Sequence, residues 1–109
     1  FYSDRANFIA LVGNLSAILD INRLAKQMKQ HGTPITVLAD PSAGKLVPIT
    51  GFSDHRPFWE QKYRAIMVTD TAMLRNPHYH KASDTIETLD LDFLTNTCQS
   101  LIAALRKIK

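Results

Sequence analysis

Three short apolar runs, each closed by turn-forming residues, alternate along this chain with three stretches of helical periodicity. That alternation limits the fold more than any other feature. The first run, Asn7 to Val12 (Asn-Phe-Ile-Ala-Leu-Val), stops at Gly13-Asn14. An unbroken apolar run of this length predicts a strand buried on both faces. Ser16 to Gln30 follows, with Ile18, Ile21, Leu24, Ala25 and Met28 on one helical face. Ser16 or Asp20 is expected to cap this helix and Gly32 to end it. Pro34 to Leu38 reads as the second strand, and Asp40 to Gly51 as a loop rich in Pro and Gly. Ser53 to Gln61 predicts a short helix with Ser53 or Asp54 as its cap and Pro57 in its first turn. Ala65 to Thr69 reads as the third strand. Asp70 to Thr88 shows little periodicity, and long loops in compact domains tend to be functional. Asp90 then caps a helix whose apolar stripe, Leu91, Leu94, Cys98, Leu101, Leu105 and Ile108, predicts packing against a sheet.

The order β-α-β-α-β-α implies an α/β fold with a mostly parallel sheet covered by helices. Three strands make a thin sheet, so the reading is a segment of a larger fold. A length of 109 residues fits one domain or part of one. The first residue is Phe1 rather than Met, which supports an origin in something longer. With 45% hydrophobic and 21% charged residues the chain is not of disordered type. The net charge of +3 is scattered, and its one cluster, Arg106, Lys107 and Lys109, ends a helix where cations are favoured. No nucleic-acid partner is expected. Neither is a membrane partner, since no apolar run approaches the ~20 residues of a span. No leader is visible at the start. A single cysteine, Cys98, excludes an internal disulfide and a multi-cysteine zinc site; its place on the apolar stripe predicts a buried, inert thiol.

In open parallel sheets ligands gather beyond the carboxyl ends of strands. The segments expected there are Gly13-Asn14, Ala39 to Phe52 and Asp70 to Ser83. The last holds Asp70, Arg75, His78, Tyr79, His80 and, just beyond it, Asp84. Neutral imidazole is the commonest metal ligand, so His78 or His80 could bind zinc, although zinc needs three or four protein donors. The plainer reading is a solvated loop histidine. Asp54-His55 reads as a helix cap with the imidazole packed beneath. Ser53, Asp54 and His55 are adjacent on one turn and cannot form a nucleophilic relay. Phe58 and Trp59 are expected in the core, and His31 at a helix end. No glycine-rich phosphate loop is present.

Two stretches add a resemblance. Gly51-Phe-Ser-Asp-His-Arg-Pro-Phe-Trp59 is one. The other runs from Ala65-Ile-Met-Val-Thr-Asp-Thr-Ala72 through Arg75-Asn-Pro-His-Tyr-His80 to Ser83-Asp-Thr85 and Leu89-Asp90. In this order they resemble the C-terminal part of di-zinc aminopeptidases of the aminopeptidase Y and bacterial leucyl aminopeptidase type. Glutamate carboxypeptidases and glutaminyl cyclases are similar in fold, and the resemblance implies a three-layer α/β sandwich around a mixed sheet. The resemblance implies a zinc exopeptidase acting on peptide N-termini, in which two metals about 3.5–4 Å apart activate a water. Its last metal ligand is the histidine of His-x-x-x-Asp-Thr, here His80, followed by Asp84 and Thr85. It also implies that Ser53, Asp54 and His55 lie beside the site, with Asp54 and Asp84 steadying ligands or loops.

The resemblance places the other metal ligands and the general base upstream of these motifs. Phe1 to Thr50 contains no Glu, and Asp4 lacks the expected surroundings. The chain alone is therefore expected to bind zinc weakly and to be inactive, with no catalytic residue of its own. A glutaminyl-cyclase-like acyltransferase and a non-catalytic truncated module are the alternatives. The resemblance further implies a secreted or periplasmic parent. An exposed sheet edge is expected to promote self-association. Lys62 and Arg64 stand where relatives often carry Gly and Pro.

Overall fold

The computed structural model describes residues 7–42, 44–45 and 47–108. Asp4 and Lys109 lie outside them. The strands are β1 (Ile9–Asn14), β2 (Ile35–Asp40) and β3 (Ile66–Thr69). The helices are α1 (Ile18–Gln30), α2 (Arg56–Glu60) and α3 (Leu91–Lys107). The order of elements is the one expected, and the fold is α/β.

Sheet order is β2-β1-β3. β1 pairs in parallel with β2 from Ile9 opposite Ile35 to Asn14 opposite Asp40. β3 runs antiparallel to β1, with Ala10 opposite Thr69 and Gly13 opposite Ile66. This corrects the mostly parallel sheet. A parallel crossover takes a dozen or more residues, usually through a helix. The connection from β2 does contain a helix, but α2 has only one turn and delivers the chain to the near end of β1. Asn14 fixes that return: its side-chain amide donates to the Tyr63 carbonyl at 2.9 Å and its Oδ1 accepts from the Ala65 N–H at 3.4 Å.

One face of the sheet carries α1 and α3. Ile9, Leu11 and Ile35 pack there against Ile21, Leu24, Ala25, Met28 and Ala104. Gly13 lets α1 approach, since a Cβ at that position would fall 2.4 Å from Ile21 Cδ1. α1 buries the predicted face. Its N-cap, however, is Ala17 after a 3-10 turn, Leu15–Ala17, so neither Ser16 nor Asp20 caps it with a side chain. Gly32 follows the helix in left-handed conformation, as expected.

α3 starts as predicted, with Asp90 Oδ1 accepting from the Phe93 N–H at 3.0 Å. Its buried face is not the leucine stripe. Thr97, Ser100 and Ala104 are buried, whereas Leu91, Leu94, Cys98 and Leu105 are exposed. Small side chains let α3 lie close to α1, and Ser100 Oγ accepts from Thr33 Oγ1 at 2.5 Å in that seam. Only Leu101 and Ile108 of the predicted stripe reach the core, half-buried. Cys98 is accordingly an exposed thiol rather than a core one.

The other sheet face is apolar but thinly covered. Ala10 and Val12 pack under Trp59, with Phe8, Ala65 and Met67 beside them. Trp59 is in the core, while Phe58 is exposed. Among the described residues no helix is long and apolar enough to cross a membrane.

Candidate functional site

The thinly covered face holds a groove of about 530 Å³. Its floor is Ala10 and Val12 of β1, Leu38 of β2 and Met67 of β3. One wall is formed by Ile49, Thr50, Phe52 and Ser53, and the other by Thr71 to Arg75 with Tyr79. The antiparallel β3 means that these walls leave the sheet at opposite ends. The segments Gly13-Asn14 and Ala39 to Phe52 do share one end. Asp70 to Ser83 emerges at the other, which corrects the single rim expected of a parallel sheet. The segment after β2 folds back over the face, and only there do the walls meet.

Asp40 organises the first wall. It ends β2 with 2% of its surface exposed. Oδ1 accepts from the Ser42 N–H at 2.7 Å and Ser42 Oγ at 2.5 Å. Oδ2 faces the Gly44 N–H at 3.1 Å and Thr50 Oγ1 at 2.6 Å. Burial pushes this carboxyl up, but the bonds from Ser42, Thr50 and Gly44 outweigh it and hold the group below its ordinary value. Gly44 adopts φ +86°, a conformation that a side chain would strain. Thr50 Oγ1 also lies 2.6 Å from the Val47 carbonyl. Its one proton serves one acceptor at a time, and the charged carboxylate is the stronger.

Thr50 also links the wall to α2. Its carbonyl accepts from His55 Nε2, and the buried imidazole meets Trp59 edge-on, ring centroids 4.4 Å apart. Trp59 Nε1 in turn donates to the Ala65 carbonyl at 3.0 Å. His55 is thus packed as the plain reading expected. It is also the N-cap of α2, and no side chain caps the helix; this corrects the assignment of that role to Ser53 or Asp54 and the start at Ser53. His55 Nδ1 is buried with no hydrogen-bond partner among the described residues.

Arg75 holds the second wall. Its Nε donates to Thr71 Oγ1 at 2.6 Å, and Nη2 donates to the carbonyls of Asp70 at 2.7 Å and Phe8 at 3.1 Å. The guanidinium carbon lies 3.6 Å over the Phe8 ring, a cation–π contact. Burial lowers the Arg75 pKa from its ordinary value, and the charge of Asp70 opposes that shift. Thr71 (φ 74°), Ala72 (φ 41°) and His80 (φ 56°) are all left-handed. Non-glycine residues pay for that geometry, and such strain gathers at functional loops.

Beyond the second wall, His80 stacks on Tyr79 with centroids 3.9 Å apart and planes 16° from parallel. Tyr79 lines the groove, whereas His80 is not part of its lining and is exposed. His78 is tied locally, Nδ1 lying 3.0 Å from Ser83 Oγ. Ser53 lines the opposite wall, and Asp54 and Asp84 are exposed. Among the described residues no hydrogen bond or ion pair joins His80 to Ser53, Asp54, His55 or Asp84. None groups three His, Cys, Asp or Glu side chains as a metal would require. Sequence reasoning missed Asp40 and the role of Arg75. Asp-Pro-Ser followed by Gly44 was the available signal, because an Asp accepting from the N–H two residues on is a common turn device.

Residues 7–105 match the model of peptidase family M28. This chain belongs to that family. The M28 assignment agrees with the resemblance carried by Gly51 to Asp90. Over 110 aligned positions the chain is also 34% identical to the uncharacterized protein YfbL of Escherichia coli strain K12. That alignment covers 99% of this chain and 33% of YfbL, so the chain spans about a third of that relative's length. No solved structure matches. M28 peptidases are generally zinc-dependent. The described residues of this chain do not fit a zinc ion by themselves: His80 is exposed, and no three His, Cys, Asp or Glu side chains among them come together to hold a metal.

Proposed function

We propose that this chain is the C-terminal segment of the catalytic domain of an M28 zinc exopeptidase, an aminopeptidase that removes N-terminal residues from peptides. In the intact protein His80 supplies one metal donor, and the remaining donors and the general base come from outside this chain. The groove contributes part of the pocket for an apolar substrate side chain. Ser53 borders it, and Asp54, His55 and Asp84 support the neighbouring loops. The match of residues 7–105 to family M28 carries the reading, with His80 standing in the His-x-x-x-Asp-Thr pattern. Alone, the chain has no catalytic set and is inactive.

The test is made in the intact protein that contains this chain. His80→Ala is expected to lower bound zinc and to reduce aminoacyl-anilide turnover by more than about a hundredfold, because loss of a ligand disrupts the metal geometry. His78→Ala should change both far less. Equal metal content and turnover in the two variants would remove His80 from the site. Turnover by the metal-loaded 109-residue chain alone would overturn its assignment as a partial site.

A further inference from the structure

We infer that Asp40 is a positioning residue for substrate selection, holding the groove wall formed by Ile49 to Ser53 through the hydroxyl of Thr50. The inference rests on the groove being part of the substrate pocket, as proposed above. Asp40 itself is absent from the groove lining, whereas Thr50, Phe52 and Ser53 belong to it. The carboxylate is nearly enclosed, and among the described residues its bonds go to the segment that returns over the sheet face, at Ser42, Gly44 and Thr50.

The bond to Thr50 spans ten residues and closes that segment into a loop. It is also the point where the wall is fixed in two directions. The Thr50 hydroxyl reaches back to the end of β2, and the Thr50 carbonyl reaches forward to His55 and so to Trp59 beneath α2. Phe52, with 60% of its surface exposed, has no comparable anchor in its own packing. Its place over the groove depends on Thr50 two residues before it. A charged acceptor suits this task, because hydrogen bonds to an ionised group are roughly twice as strong as neutral ones. A wall held this way sets how much apolar side chain the groove can contact. Differences of that kind discriminate between large and small side chains.

The experiment compares leucyl- and alanyl-anilide turnover by the intact protein and its Asp40→Asn, Thr50→Val and Thr50→Ser variants. Thr50→Val keeps the shape and removes the hydroxyl. It should lower kcat/KM for the leucyl substrate about tenfold relative to the alanyl one, mainly through KM, and Asp40→Asn should do the same. Thr50→Ser keeps the hydroxyl and should return the ratio close to that of the unmodified protein. Hydrogen exchange supplies a readout independent of turnover: segment 44–55 should exchange faster in Asp40→Asn and Thr50→Val, with α3 unchanged.

A variant that is merely less stable loses both substrates together and leaves the ratio in place. That result, or an unchanged exchange rate in segment 44–55, would overturn the role given to Asp40. An unmodified protein that cleaves neither anilide would instead overturn the aminopeptidase reading, and this inference with it.

Discussion

The two faces of the sheet are built from alternate residues of the same strands, yet they are held by different forces. On one face Leu11, Ile21 and Met28 are fully enclosed, and α1 and α3 seal them. On the other, Leu38 keeps 42% of its surface exposed and the groove lies open between two loops. The first face rests on apolar burial, which is non-directional and tolerant of detail. The second depends on hydrogen bonds to Asp40 and Arg75, which fix loops in one geometry. Stability and site shape are thereby divided between the faces.

The largest effect expected from this division comes from cutting each face equally. Leu11→Ala should cost about 3–5 kcal/mol, the usual loss for an enclosed leucine. Leu38→Ala should cost less than about 1 kcal/mol, because much of that side chain already meets water. Urea denaturation of both variants makes the comparison, and similar midpoints would dissolve the distinction between a sealed and an open face.

Acid tests the polar face through Asp40. Asp40 has a folded-state pKa below its ordinary value of 3.8. Its contribution is therefore fully present above that ordinary value and is lost as pH falls through the lower folded value. Pepsin, which works in acid, should spare segment 40–55 at about pH 5. It should cut there only below 3.8. Cleavage that begins well above that value would show that the carboxylate does not hold the wall.

The smallest effect is a gain at the junction between the faces. Lys62 has φ 63° in the turn between α2 and β3, where left-handed geometry penalises a side chain. Lys62→Gly should stabilise the chain by about 1 kcal/mol, read as a rise in melting temperature.

The legible part of the sequence follows the same division. Strand and helix order, the buried face of α1, the Asp90 cap and the burial of Trp59 all came from periodicity and capping chemistry, which are local. Strand direction did not, because a short linker with one helical turn serves a parallel crossover or an antiparallel return alike until Asn14 is seen to clamp Tyr63 and Ala65. The leucine stripe of α3 misled for a related reason. Periodicity ranks faces by hydrophobicity, whereas α1 selected the face of Thr97, Ser100 and Ala104, whose small side chains let the helices approach. At the site, His80 was selected by the resemblance alone, and the described residues bring no set of metal donors together around it. Asp40 escaped notice because its partners lie up to ten residues away in a stretch with no periodic signal.

The reversed direction of β3 has a consequence for how such a site can change. The two walls enter from opposite ends of the sheet and share no backbone until they face each other across the groove. A residue inserted or deleted between Pro41 and Val47 can re-cut one wall without shifting the register of any strand. The other wall is bound differently, because His80, Asp84 and Thr85 stand in a fixed spacing between Asn76 and Thr85. Loop length is thermodynamically cheap to vary. The pocket is therefore adjustable from the side that follows β2 without moving the other wall, and one scaffold can be retailored for new side chains while the sealed face stays untouched.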